Sequence, residues 1–231
     1  MTEPLRFGTY VTGQNLYRIC GFERLVQIIE EKQIFFAHPS SWDDPYESVV
    51  PHRLSNAIFA QCWCRRSTSD AMWRIYSPDS RGIRIESSRQ ALINAMTHES
   101  KRTGLKFDVR KVDYFDQAEF SARIRSIEKS IRARPAFDRV IEPLFVKRKP
   151  YDHELETRLV VFDERLIDTP PKHGISVPIE PFEIIKSVEV DPRAPEAFVA
   201  AFRHYLKERL NFPGSVSQSD LYSRTTSPTR K

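Results

Sequence analysis

Glycine is scarce in this chain, 7 of 231 residues, and its scarcity excludes a good deal. Neither G-x-G-x-x-G nor G-x-x-x-x-G-K-[ST] occurs. The glycine-rich loops of Rossmann and P-loop proteins, which need backbone without Cβ to close on phosphate, are therefore not expected. Cysteine is equally sparse. Cys20, Cys62 and Cys64 are an odd number, and two of them sit one residue apart. That supplies neither a disulfide framework nor the second ligand pair of a zinc site. The thiols read as reduced and buried, and a cytoplasmic location is expected. No stretch approaches the roughly 18 apolar residues of a membrane span. The opening MTEPLRFGTY has no apolar signal-peptide core, so no membrane partner is expected.

What is present is a modest positive excess, formal net charge +5 with a pI near 9.1. It favours loose attraction to nucleic acid or to nucleotide phosphates. The tight basic runs are Lys147-Arg148-Lys149 and Arg65-Arg66, and each serves equally well as a solvated face. Residues 1–222 read as one domain with enough chain to bury a core, and residues 223–231 as a disordered tail.

Hydrophobic patterning gives short strands at Leu16–Ile19, Ile34–Ala37, Ile58–Cys64, Ile83–Glu86, Val109–Phe115, Arg158–Phe162, Ile175–Ile179 and Ile184–Val190, and a further one at Ser215–Tyr222. Helical spacing predicts helices over Phe22–Gln33, behind the Ser67-Thr68-Ser69-Asp70 cap cluster, over Ser88–Arg102, over much of Gln117–Lys147, and from Pro195. The strands and helices do not alternate regularly. An α+β domain follows, with an irregular, mostly antiparallel sheet flanked by helices.

The segment from Tyr151 to Arg158 is the richest in chemistry. Asp152, Glu154, Glu156 and Arg158 alternate just before an apolar run, and a strand would put Glu154, Glu156 and Arg158 on one face. Such a group can orient a sugar hydroxyl, hold a metal, or form an ion-pair ladder. Three other segments combine polar and aromatic residues beside strands: Tyr17-Arg18; Ser41-Trp42-Asp43-Asp44-Pro45-Tyr46-Glu47; and the block from Cys62-Trp63-Cys64 through Met72-Trp73 and Tyr76 to Gly82.

In this order the segments resemble the uncharacterised bacterial family of domain-of-unknown-function 2971. That resemblance implies a common fold and pocket over Leu16 to Tyr222. Asp43 and Cys64 stand where the family pattern has Asn and Ser. More distantly, Arg18, then Ser67-Thr68-Ser69, then Glu154-x-Glu156 is similar to the motif order of the ADP-ribosyltransferase superfamily.

That second likeness implies NAD as cosubstrate, no metal, and a toxin or defence effector. In this reading Glu156 stabilises positive charge on the ribose, Glu154 positions or deprotonates the acceptor, and Arg18 holds phosphate. Tyr17, Trp42, Asp44, Ser67, Ser69 and Arg158 complete the nucleotide site. Three plainer readings stand beside it: Ser67-Thr68-Ser69 as a helix cap, Glu154-Glu156-Arg158 as a structural ion-pair network, and Trp63 and Trp73 as core. Two other functions also remain open. One is a metal-dependent nuclease using Asp43, Asp44, Glu47, Glu154 and Glu156. The other is a binding module without turnover.

Overall fold

The computed structural model describes residues 14–42, 44–48, 50, 52–169 and 172–223. Asp43 and the 224–231 part of the expected tail lie outside the described residues. The elements in chain order are β1 (Asn15–Cys20), α1 (Phe22–Glu30), β2 (Gln33–Ala37), β3 (Ile58–Cys64), α2 (Asp70–Tyr76), β4 (Ile83–Ser88) and α3 (Arg89–Thr103). They continue with β5 (Lys106–Lys111), β6 (Asp113–Phe115), α4 (Gln117–Ala133), α5 (Phe137–Val140), β7 (Val146–Arg148), β8 (Glu156–Phe162), β9 (Gly174–Pro178), α6 (Pro181–Ile184), β10 (Ser187–Val190), α7 (Glu196–His204) and β11 (Ser215–Gln218).

Nine strands form one sheet. Its main path runs β11-β10-β4-β1-β3-β2-β9, and β8 joins β3 to β5. Every pairing in it is antiparallel except β10 with β11, while β6 and β7 form a separate parallel pair. This is the expected α+β class. Alternation along β3 and β8 sorts their side chains between two apolar layers. Phe59, Trp63, Leu159 and Val161 join the larger core with α1, α3 and α7. Ile58, Ala60, Val160 and Phe162 join a second core under α4 and α5.

Local chemistry explains the helix starts. The Ser69 hydroxyl accepts from Met72 N at 3.3 Å, Ser88 from Ala91 N at 3.1 Å, and the Asp116 carboxylate from Glu119 N at 2.9 Å. Gly104, at φ +78°, closes α3 in the left-handed conformation that glycine adopts without a Cβ penalty.

Several boundaries differ from the sequence reading. The expected strand Val109–Phe115 is two strands: Val112 N makes a last bond toward β8, to Glu156 O at 3.0 Å, and Asp113–Phe115 then pairs with β7 instead. The helical pattern from Gln117 breaks after Ala133, resumes in α5 and a 3₁₀ turn at Glu142–Phe145, and ends before Lys147 because Val146–Arg148 is a strand. Pro181 opens a short helix where the expected Ile184–Val190 strand would have begun. No helix among the described residues is long and apolar enough to cross a membrane.

Candidate active site

Strand β3 pairs with β8 along its whole length, but two strands share its other edge. β2 meets it at Ala60 and β1 meets it at Cys64. Between these points the sheet splits, leaving backbone groups that need partners. Arg18 Nη1 donates to Cys62 O at 2.6 Å. Gln61 Nε2 donates to Phe35 O at 3.0 Å, while its Oε1 accepts from Trp63 Nε1 at 2.9 Å. Above the split lies a half-open cleft with a cavity of about 100 Å³. Tyr17, Arg18 and Ile19 line it from β1, and Cys62, Trp63 and Cys64 from β3. Arg66, Ser67, Ser69, Met72, Trp73 and Tyr76 come from the following loop and α2, with Arg84, Glu154 and Glu156 completing the wall.

The two cleft carboxylates reach it differently from a simple strand. Glu156 is the first residue of β8, whereas Glu154 ends a 3₁₀ stretch, Lys149–Glu154. Leu155 between them has φ +45° and ψ +50°, a conformation that costs a non-glycine residue roughly 1–3 kcal/mol. Arg65 holds it there: its backbone N and its Nε both donate to Leu155 O, at 3.1 and 3.0 Å. The kink brings both carboxylates to one cation. Lys147 Nζ lies 2.6 Å from Glu154 Oε2, 3.2 Å from Glu47 Oε1 and 3.6 Å from Glu156 Oε2.

Arg158, 0% exposed, completes this network. Its Nη2 reaches both Glu47 and, at 2.6 Å, Glu156 Oε2, and its Nη1 donates to Leu144 O at 2.9 Å. Three carboxylates thus share two cations. Burial works against ionisation of Glu156, yet the charges of Arg158 and Lys147 hold its pKa below the usual carboxylate value. Burial pushes Glu154 up, reinforced by the charge of Glu156 and only partly opposed by Lys147. The two neighbours are therefore driven apart, one toward a fixed negative charge and the other toward taking a proton.

Six of the nine residues given catalytic or nucleotide-binding roles from the sequence line this cleft: Tyr17, Arg18, Ser67, Ser69, Glu154 and Glu156. Ser69 is also the α2 cap, so the plainer reading of that serine holds beside its place in the cleft. Trp42, Asp44 and Arg158 are not in its lining. Trp42 packs over the Arg158 guanidinium, 4.7 Å from ring centre to Cζ. Asp44 binds Arg148 at 3.2 Å and accepts from Tyr46 N at 3.0 Å. Trp63 and Trp73 are 3% and 1% exposed, so they are core and cleft floor at once.

Lys147 and Arg84 were not singled out as site residues. Lys147 sits in a basic run that looks solvated, and Arg84 in an alternating strand whose polar face could have met water. Glu47, Glu154 and Glu156 do converge, as the nuclease reading required, but Lys147 and Arg158 stand at their centre. Among the described residues no group of His, Cys, Asp and Glu is placed to hold a metal ion.

No curated protein matches the chain. Three solved structures of one protein, each 16% identical with a TM-score of 0.42, resemble it loosely. They are Thermus sp. 2.9 DarT in complex with carba-NAD+ (91% of this chain, 97% of that chain), with NAD+ (91% and 98%) and with ADP-ribosylated ssDNA (92% and 97%). Residues 72–159 run from α2 into β8 and contain Trp73, Gly82, Glu154, Glu156 and Arg158. Over this span, narrower than the motif order alone implied, the chain matches the family described as protein of unknown function (DUF2971).

Proposed function

We propose that the cleft cleaves the nicotinamide–ribose bond of NAD and passes the ADP-ribosyl group to an acceptor or to water. The observation that carries this reading is that Arg18, Ser67, Ser69, Glu154 and Glu156, widely separated in sequence, line one aromatic-floored cleft at the split of the sheet. Breaking that bond leaves the pair of electrons on the nicotinamide nitrogen and develops oxocarbenium character on the ribose. Glu156 is a carboxylate kept ionised by Arg158 and Lys147, which suits it to stabilise that charge. All its ion pairs fall on Oε2, so Oε1 carries none of them. The acceptor's proton passes to Glu154, whose raised pKa makes it the readier base.

The enclosed volume of about 100 Å³ is well below the roughly 300–1,000 Å³ of a whole small-molecule pocket. It suits the reacting end of a dinucleotide, with the remainder lying across the open rim. A toxin or defence role belongs to the same reading and depends on which acceptor the rim admits. Nicotinamide release from NAD by the purified chain, with and without a chelator, tests the proposal. Glu156→Gln keeps the volume and is expected to lower release roughly 100- to 1,000-fold. Absence of release by the wild-type chain, with water, protein or nucleic acid as acceptor, would overturn it.

A further inference from the structure

Arg84 lines the cleft with a side chain that is only 13% exposed. It projects from β4, whose partner β1 carries Tyr17 and Arg18, and Arg84 pairs in register with Ile19. Its Cζ lies 4.9 Å from the Tyr17 ring centre and 6.0 Å from that of Trp73. Its Nη2 is 2.8 Å from Glu189 Oε2. Two aromatic faces and a carboxylate therefore hold the guanidinium in place. Its Nη1 is nevertheless buried with no hydrogen-bond partner among the described residues. A buried charged donor left unpaired costs stability, and a natural chain rarely retains one without use.

Arg18 lies on the neighbouring strand, and its side chain donates from Nη1 to Cys62 O. Arg66 lines the same cleft from the loop. The strand order β4-β1-β3-β8 sets Arg84 apart from Glu154 and Glu156, whereas Arg66 follows Cys64, the register partner of Glu156. Three strand spacings of about 4.8 Å put roughly 14 Å of sheet between Arg84 and Glu156, which two long side chains shorten. Arg84 thus lies at the far end of the cleft from the two carboxylates.

We infer that Arg84 is an anion anchor of the cleft, its free Nη1 taking a phosphate or diphosphate oxygen of the ligand whose sugar lies against Glu156. A planar guanidinium already fixed by stacking matches phosphate geometry with little further ordering. Arg18 supplies a second donor set, and Glu189 keeps the guanidinium oriented in the free protein. The inference rests on the dinucleotide reading for the identity of the ligand, but the anion site is testable without it.

The experiment is calorimetric titration of the full chain with inorganic pyrophosphate and, separately, with NAD. Arg84→Lys keeps a positive charge beside Glu189 but removes the fork. It is expected to weaken both ligands about tenfold or more. If the lysine variant unfolds earlier than wild type, Arg84→Met with Glu189→Met removes both charges together and is expected to show the same loss of binding. Equal pyrophosphate affinity in the wild type and a folded Arg84 variant would overturn the inference. So would wild-type protein that binds no pyrophosphate, whereas nicotinamide release would still report on the NAD reading. Pyrophosphate binding that depends on Arg84, in a chain that neither binds nor cleaves NAD, would uphold the anion site and overturn the NAD reading instead.

Discussion

Replacing Lys147 by Met tests whether the carboxylate cluster depends on its shared cation. Glu47, Glu154 and Glu156 meet Lys147 and Arg158 in a group in which every member is less than 10% exposed. Fully ionised, three negative charges face two positive ones, a net of −1. Removing Lys147 leaves three carboxylates against Arg158 alone, a net of −2 in a poorly solvated site. Breaking a buried ion pair by deleting one partner costs roughly 3–5 kcal/mol, chiefly from the charge left behind. For a chain of this length each kcal/mol shifts the unfolding midpoint by about 2–4 °C, so a drop of roughly 6–20 °C is expected near neutral pH. Met fills the aliphatic volume of Lys, so little of the loss is cavity. The compensating double variant, Lys147→Met with Glu154→Gln, returns the net charge to −1 and should recover part of the midpoint. Thermal and urea unfolding followed by circular dichroism provide the measurement. A Lys147→Met protein within about 1 kcal/mol of wild type, or a double variant less stable than the single one, would refute the account.

Glu156→Gln reduces the group to two carboxylates and two cations with no net charge left behind, so the variant used in the activity test should stay folded and lose less of the midpoint than Lys147→Met. The pH dependence has a defined sign. Glu154 has a raised folded pKa, so its contribution to stability is lost as pH rises through that value and is fully present below its ordinary 4.5. Glu156, Asp163 and Asp191 have lowered values and contribute stability that is lost on acidification through those values; half-buried His52, whose pKa burial lowers, adds a loss of stability as pH falls through its ordinary 6.5. Subtracting the Glu154→Gln stability curve from that of wild type should therefore leave a term that grows as pH falls from neutrality toward about 4.5, and a flat difference would contradict the assignment. Gly82→Ala should cost roughly 1–3 kcal/mol in urea unfolding, because its Cβ would sit 2.6 Å from Ser77 Cβ where Gly82 N now donates to Ser77 Oγ at 2.8 Å.

The class of the fold was legible because burial on one face leaves a period in the sequence. Phe22, Leu25, Ile28 and Ile29 announced α1, the apolar run after Arg158 announced β8, and the serines before Met72 announced the start of α2. Glycine scarcity and cysteine spacing removed whole classes of site before any contact was known. The motif segments also contained most of the residues that line the cleft.

Long-range pairing decided the rest, since no local pattern specifies that β1 and β2 share one edge of β3 while β8 takes the other. That sharing opens the split at Cys62 and turns Arg18 into part of a cleft. A left-handed Leu155, held by Arg65 from 90 residues earlier, turns Glu154 toward the same lysine as Glu156. Arg158, Trp42 and Asp44 carry the same chemistry in the sequence as the residues that line the cleft, but packing put Arg158 into the carboxylate network with Trp42 over it, and set Asp44 on Arg148. Charge and residue type are written in the chain. Whether a charged side chain meets a ligand or a buried counter-charge depends on which distant segment packs against it, and only tertiary structure decides that.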